Sequence, residues 1–202
     1  MDAQTRRAQA FKALHAREGA FVIPNPWDAG SAKMLATLGF EALATTSAGH
    51  ASSLARPDGG LGLEATLANV RAIVAATDLP VAVDLENGFA DDPEACAQNL
   101  LRAAEAGAVG GSIEDATGRE DSPIYCFEQA VARVKAAAEA MASLPYPFLL
   151  TARAENFLHG NPDLDDTIQR LRAFSDAGAD VLYAPGLNTA EQVLAVVRAV
   201  AP

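Results

Sequence analysis

Apolar residues along this chain follow two rhythms that take turns. Short, β-branched or leucine-rich runs predict strands at Phe21-Val22-Ile23, Ala42-Leu43-Ala44-Thr45-Thr46, Val81–Glu86, Gly110–Glu114, Phe148–Arg153 and Val181-Leu182-Tyr183-Ala184. Between them apolar side chains recur every three or four positions, as a helix facing a core requires. Phe11 and Leu14 mark a first helix over residues 4–17, and Ala29–Leu38 a second, with Asp28 placed to cap it. Further stripes are Leu63/Leu67/Val70/Val74, Ala97/Leu100/Leu101/Ala104, Phe127/Val131/Val134/Ala138/Met141, Leu164/Ile168/Leu171 and Val193/Val196/Val197/Val200. Leu38-Gly39-Phe40, Ala106-Gly107-Ala108 and Ala177-Gly178-Ala179 each stand between a helix and the next strand, where glycine is the usual helix stop. A recurring strand–loop–helix–glycine unit predicts an α/β protein with a parallel sheet, and a β/α barrel before an open sheet. Six such units are read where a (β/α)8 barrel needs eight strands and about 250 residues. The expectation is therefore one domain over residues 1–202: a TIM-type barrel truncated after its sixth βα unit, with exposed edges.

Composition narrows this picture only a little. A formal net charge of −11 argues against nucleic acid and anionic membrane surfaces as partners. Two cysteines, Cys96 and Cys126, make no disulfide framework and no metal-ligand spacing, which with the absence of an apolar leader points to the cytoplasm. No run is long enough to span a bilayer.

The chemistry gathers where strands end. Val81-Ala82-Val83-Asp84-Leu85-Glu86-Asn87-Gly88 closes an apolar run with two carboxylates two residues apart, on one side of a strand. They are either solvated acids or ligands of a hard divalent cation. The next strand ends in Glu114-Asp115 and the one after in Arg153-Ala154-Glu155-Asn156. Ionisable groups at the C-terminal ends of successive parallel strands describe the rim on which such folds carry their active sites. Arg153 is open to two readings, substrate binding or an ion pair with Glu155 or Glu114; Glu155 and Asn156 would then support the pocket from behind. Trp27 is either a pocket wall or an aromatic plug. Asp28 reads as a cap before a catalyst, His50 as a solvated loop histidine that could face the site, His15 and His159 as surface bystanders, and Cys126 as packing on the helix that follows it.

Seven ordered motifs then carry a resemblance. They are Asn25-Pro26-Trp27-Asp28-Ala29, Thr46-Ser47-Ala48-Gly49, Pro57-Asp58-Gly59, Asp84-Leu85-Glu86-Asn87-Gly88, Ile113-Glu114-Asp115, Thr151-Ala152-Arg153 and Tyr183-Ala184-Pro185-Gly186. In this order and spacing the chain resembles the isocitrate lyase / phosphoenolpyruvate mutase superfamily. The resemblance implies a (β/α)8 barrel that binds Mg²⁺ (or Mn²⁺) and a small 2-oxo acid or dicarboxylate at its C-terminal rim. It implies Asp84 as direct metal ligand, with Glu86 and Glu114 holding metal-bound waters. Ser47, Ala48 and Gly49 would offer backbone N–H groups to the substrate carboxylate, Trp27 would border it, Arg153 would pair with it, and Asp58 would sit near the reacting carbon. A C–C or C–P bond would break through a metal-stabilised enolate, as in a lyase or mutase. The resemblance also implies oligomers that exchange the eighth helix; the matching segment lies beyond residue 202, so a homo-oligomer stays possible but without that exchange.

The sequence departs from the family in two places. Glu86 stands where aspartate is usual, moving the carboxylate outward by about one bond, which a water-mediated contact tolerates. The loop Ala116–Cys126 lacks both the lyase Lys-Lys/Arg-Cys-Gly-His signature and the lysine and asparagine of the mutase gating loop. Neither activity is assigned on this basis. A metal-dependent aldolase on a similar barrel, or a non-catalytic barrel that binds a 2-oxo acid, are the competing expectations.

Overall fold

The computed structural model describes residues 2–201. Among these, five strands form one all-parallel sheet in the order β1 (Leu43–Ala44), β2 (Val81–Asp84), β3 (Gly110–Glu114), β4 (Leu149–Arg153) and β5 (Val181–Tyr183). Eight helices alternate with them: α1 (Ala3–Ala16), α2 (Ala29–Thr37), α3 (Ser47–Ser53), α4 (Leu63–Ala76), α5 (Pro93–Glu105), α6 (Phe127–Ala142), α7 (Leu164–Asp176) and α8 (Ala190–Val200). Strands neighbouring in sequence neighbour in space, which is the arrangement of part of a TIM-type barrel.

Two expectations need correcting. Phe21-Val22-Ile23 is not a strand, so the count is five and not six. The segment still runs beside β1: Ala44 N–H donates to Pro24 C=O at 3.2 Å and Asn25 Nδ2 donates to Ala44 C=O at 3.0 Å. Pro24 and Pro26 have no N–H to give, so a ladder cannot propagate there. Ser47–Ser53, where the apolar pattern predicts no helix, is helical, capped by Thr46 Oγ1 accepting from Gly49 N–H at 3.2 Å.

Period-two alternation sorts the sheet into two faces. Val83, Leu85, Ile113, Leu150 and Ala152 point outward into the core shared with Leu67, Leu100, Val134, Leu171 and Phe174. Ala82, Asp84, Ser112, Thr151 and Arg153 line a cavity of about 630 Å³ on the other face. Helix α1 covers the N-terminal end of the sheet. Its Ala8 and Phe11 pack with Ala42, Val109 and Leu149, and Gln4 Nε2 donates to the carbonyls of Ala104 and Ala108. Chemistry is thereby left to the opposite, C-terminal edge. His15 is part of this packing and not a bystander: its ring stands edge-on to both Phe11 and Phe21 and lines the cavity. At the far edge β5 and α8 leave Tyr183, Val193, Leu194 and Val197 about half exposed.

Arg133 of α6, 1% exposed, is a buried strut behind the edge. Its guanidinium donates to the carbonyls of Asn87, Ala90 and Asp91 and stacks 4.3 Å from the Tyr125 ring. It fixes the β2–α5 loop that follows Glu86. An Arg133→Met variant should lose about 2–3 kcal/mol, because three partly buried loop carbonyls would lose their charged donor; urea denaturation measures it.

Candidate active site

Each side chain at the rim is delivered by a strand end. Asp84 is the last residue of β2, Glu114 of β3 and Arg153 of β4, and Glu114 and Arg153 are register partners. Glu86 reaches the same place by a turn and not by strand alternation. Beyond Asp84 regular strand geometry ends, although Leu85 N–H still donates to Ser112 C=O at 3.1 Å; Glu86 takes a left-handed φ of 49°, and Asp84 Oδ1 accepts Glu86 N–H at 3.3 Å. A non-glycine in that region is uncommon and held by its surroundings. Gly88 completes the turn: at φ 71°, a Cβ there would lie 2.3 Å from Cys96 Sγ.

Arg153 is the hub. Nη1 lies 3.0 Å from Asp84 Oδ1, Nη2 3.0 Å from Glu114 Oε2, and Nε 2.8 Å from Glu155 Oε1. Tyr183 flanks the guanidinium at 5.8 Å. Arg153 thus makes both predicted ion pairs, with Glu114 and Glu155, while also lining the cavity. Burial opposes its charge, but Glu114, Glu155 and Asp84 outweigh that and hold it protonated above its usual range.

The acids outnumber their counter-charge. Burial pushes Glu114 up to about 8 despite Arg153, with Glu155, Asp84 and Glu86 adding to the rise. Burial, Asp84 and Asp58 push Glu86 up to about 7. Glu155 is also raised, mainly by burial. Groups whose folded pKa exceeds the unfolded value of about 4.5 favour the folded state while protonated. Their contribution is full below that value and is lost as pH rises through 7 and 8. The cation-free protein should therefore melt at progressively lower temperature from about pH 5 to about pH 8; a flat thermal-denaturation profile would contradict this charge balance.

The donor set suits a hard cation. Among the described residues, no three His, Cys, Asp or Glu side chains form a ready cage. What exists is a set of oxygen donors with surplus negative charge around one guanidinium. Mg²⁺ is commonly held by one or two carboxylates plus water, so the residues fit it without a full protein cage.

Other predicted residues take definite places. Ser47 N–H donates to Asp84 Oδ2 at 2.9 Å and Gly49 N–H to the Thr46 cap, so the first of these already orients a carboxylate. Ala48 is exposed at the start of α3. Trp27, 51% exposed, covers Gly49, where a Cβ would lie 2.3 Å from its Cδ1; it does not line the 630 Å³ cavity. Asp58 sits on an exposed loop and accepts its neighbour Gly59 N–H, reaching the site only through its charge on Glu86. Asp28 is a helix cap, accepting from Ser31 N–H at 2.7 Å. Cys126 is exposed, against the expectation that it packs on α6: it occupies the helix's N-cap position. His50 is not a solvated loop residue. It lies on α3 with both ring nitrogens shielded from solvent.

One layer behind the rim stands a network that local pattern did not reveal. Asp115 accepts Glu155 N–H at 2.8 Å and Arg170 Nη1 at 3.0 Å, and Asp166 accepts from Arg170 Nε at 2.8 Å and Asn156 Nδ2 at 2.6 Å. The only available signal was the Glu114-Asp115 dipeptide. Alternation turns Glu114 toward Arg153 and Asp115 behind the sheet, where it needs a partner.

Residues 11–202 match the phosphoenolpyruvate phosphomutase family. A crystal structure of a candidate lyase/mutase from Burkholderia cenocepacia J2315 is 61% identical, with a TM-score of 0.97 over 98% of this chain and 72% of that one. A probable 2-methylisocitrate lyase of Corynebacterium glutamicum is 32% identical over 91% of this chain, which spans 61% of that protein's length. Oxaloacetate acetylhydrolase in complex with oxalate is 27% identical, with a TM-score of 0.86 over 99% of this chain and 69% of that one. With the match covering all but the first ten residues and the acids and arginine gathered at one strand edge, the chain belongs to the phosphoenolpyruvate phosphomutase family, within the isocitrate lyase / phosphoenolpyruvate mutase superfamily of lyases and phosphonomutases.

Proposed function

We propose that this protein is a Mg²⁺-dependent enzyme that cleaves a C–C or C–P bond beside the carbonyl of a small 2-oxo acid. The observation that carries this reading is the convergence of Asp84, Glu114 and Glu155 on Arg153 at the mouth of a 630 Å³ cavity, with more negative charge than one guanidinium balances. Asp84 would hold the cation directly and Glu86 and Glu114 would hold its waters. Mg²⁺, when bound, supplies a Lewis acid that polarises the 2-oxo group and favours negative charge on its oxygen.

The chain's own residues do the rest. Ser47 N–H and Arg153 fix the Asp84 carboxylate before any ligand arrives, so little reorganisation is left for the reaction. Arg153 stays cationic throughout and offers planar donors to a substrate carboxylate entering from the cavity side. Glu155, buried and bonded to Nε, sets the guanidinium plane. Thr45, Ser112 and Thr151 line the cavity with small polar side chains suited to a short, oxygen-rich acid. Asp58, on its exposed loop, is the candidate to act near the reacting carbon.

Turnover of oxaloacetate, phosphonopyruvate and methylisocitrate, each with Mg²⁺ and with chelator, tests the proposal. Cleavage of one of them that stops on chelation is expected. Turnover that survives chelation would overturn the mechanism.

A further inference from the structure

His50 stands apart from the machinery described so far. Both of its ring nitrogens are shielded from solvent, and neither has a hydrogen-bond partner among the described residues. A buried imidazole always carries at least one N–H donor, and leaving such a group unpaired is costly. His50 borders a narrow cleft together with Thr45, Asn69, Gly59, Asp84 and Glu86. The cleft is about 10 Å³, the space of a single water, and its walls are polar enough to hold one. Asp84 also lines the large cavity, so the cleft adjoins the site.

Glu86 is the complementary group. Its main chain is tied down, N–H to Asp84 Oδ1 and C=O accepting Glu114 N–H at 3.0 Å, but no described side chain hydrogen-bonds its carboxylate. Its Oε2 faces Gly59, where even a Cβ would only reach 3.9 Å. The cleft is therefore lined both by a residue with unpaired imidazole nitrogens and by one with an unpaired carboxylate.

We propose that His50 is a positioning residue for Glu86, acting through one water held between them in this cleft. The inference rests on the reading of Glu86 as part of the cation site, and it gives the longer glutamate a fixed reach. A water can donate to one group and accept from the other, satisfying both at once. Asp84 needs no such help, because Ser47 and Arg153 already orient it.

The test uses the whole chain and Mn²⁺ as the probe. His50→Leu removes both nitrogens at similar volume, and His50→Gln keeps a donor and an acceptor. Titration calorimetry with Mn²⁺ should show affinity lowered about 10–100-fold in His50→Leu and largely restored in His50→Gln. Thermal stability of His50→Leu should fall only modestly, since the bridging water loses one partner and the apolar replacement fills a similar volume. Equal Mn²⁺ affinity in wild type and His50→Leu would overturn the inference and leave the proposed function standing. Wild-type protein that binds no Mn²⁺ would overturn the proposed function; a crystal structure then decides the positioning role alone. Solvent within hydrogen-bond distance of both His50 and Glu86 supports it, and a dry cleft ends it. The same structure decides the matter should His50→Leu fail to fold.

Discussion

An Arg153→Met variant is expected to lose about 3–5 kcal/mol of stability at neutral pH, the usual cost of removing one partner from buried ion pairs, and to retain no measurable turnover. The guanidinium is the shared counter-ion of Asp84, Glu114 and Glu155, and the Glu155 side chain is only 2% exposed. Removing it leaves three acids facing one another in a poorly solvated pocket. The protons of Glu114 and Glu155 then bind more tightly still in the folded state. Stability would be nearer wild type below about pH 4.5, where Glu114 and Glu155 are protonated in folded and unfolded chains alike, and the deficit would widen as pH rises. Urea denaturation at about pH 5 and about pH 8 measures that widening. An equal deficit at both would mean that methionine merely packs badly. Arg153→Lys should recover part of the stability and little of the activity. One ammonium keeps the charge but cannot span three carboxylates lying in three directions.

The ends of the strands were legible in the sequence because burial and charge change there within one or two residues. Asp84, Glu114 and Arg153 each close an apolar run, and period-two alternation places them on one side of the sheet, where Arg153 bridges the two acids and Asp84 and Arg153 line the cavity. The glycine stops at Gly39, Gly107 and Gly178 hold in the structure, each with positive φ. What the sequence hid has three causes. Phe21-Val22-Ile23 has strand-like side chains, but the prolines after it deny the donors a ladder needs. Ser47–Ser53 has no apolar stripe to announce a helix, and a cap bond with tertiary packing decides it. Asp115–Arg170 and the Arg133 strut join residues about 40 to 55 positions apart, so no local window contains both partners. Glu86 illustrates the limit within the site itself. The expectation that it joins Asp84 was reached by strand geometry, yet the structure brings the two together by a left-handed turn.

Asp84→Ala should separate the two roles that the rim combines. Turnover should fall at least ~10³-fold, the scale of losing several kcal/mol of electrostatic stabilisation, and the Mg²⁺-dependent rise in melting temperature should vanish. Stability of the cation-free variant should change far less than in Arg153→Met. Asp84 pushes both Glu86 and Glu114 upward, so its removal relieves repulsion while breaking its bonds to Ser47 N–H and Arg153. In the wild type, a cation and protons compete for the same oxygens. Mg²⁺ should therefore stabilise more at about pH 8 than at about pH 6, because fewer protons must leave. Thermal melts of both proteins, with and without Mg²⁺ at the two pH values, supply the comparison. If Asp84→Ala still gains stability from Mg²⁺ with the same pH dependence, the cation is held elsewhere, and the surplus charge at this rim is a stability cost with no catalytic return.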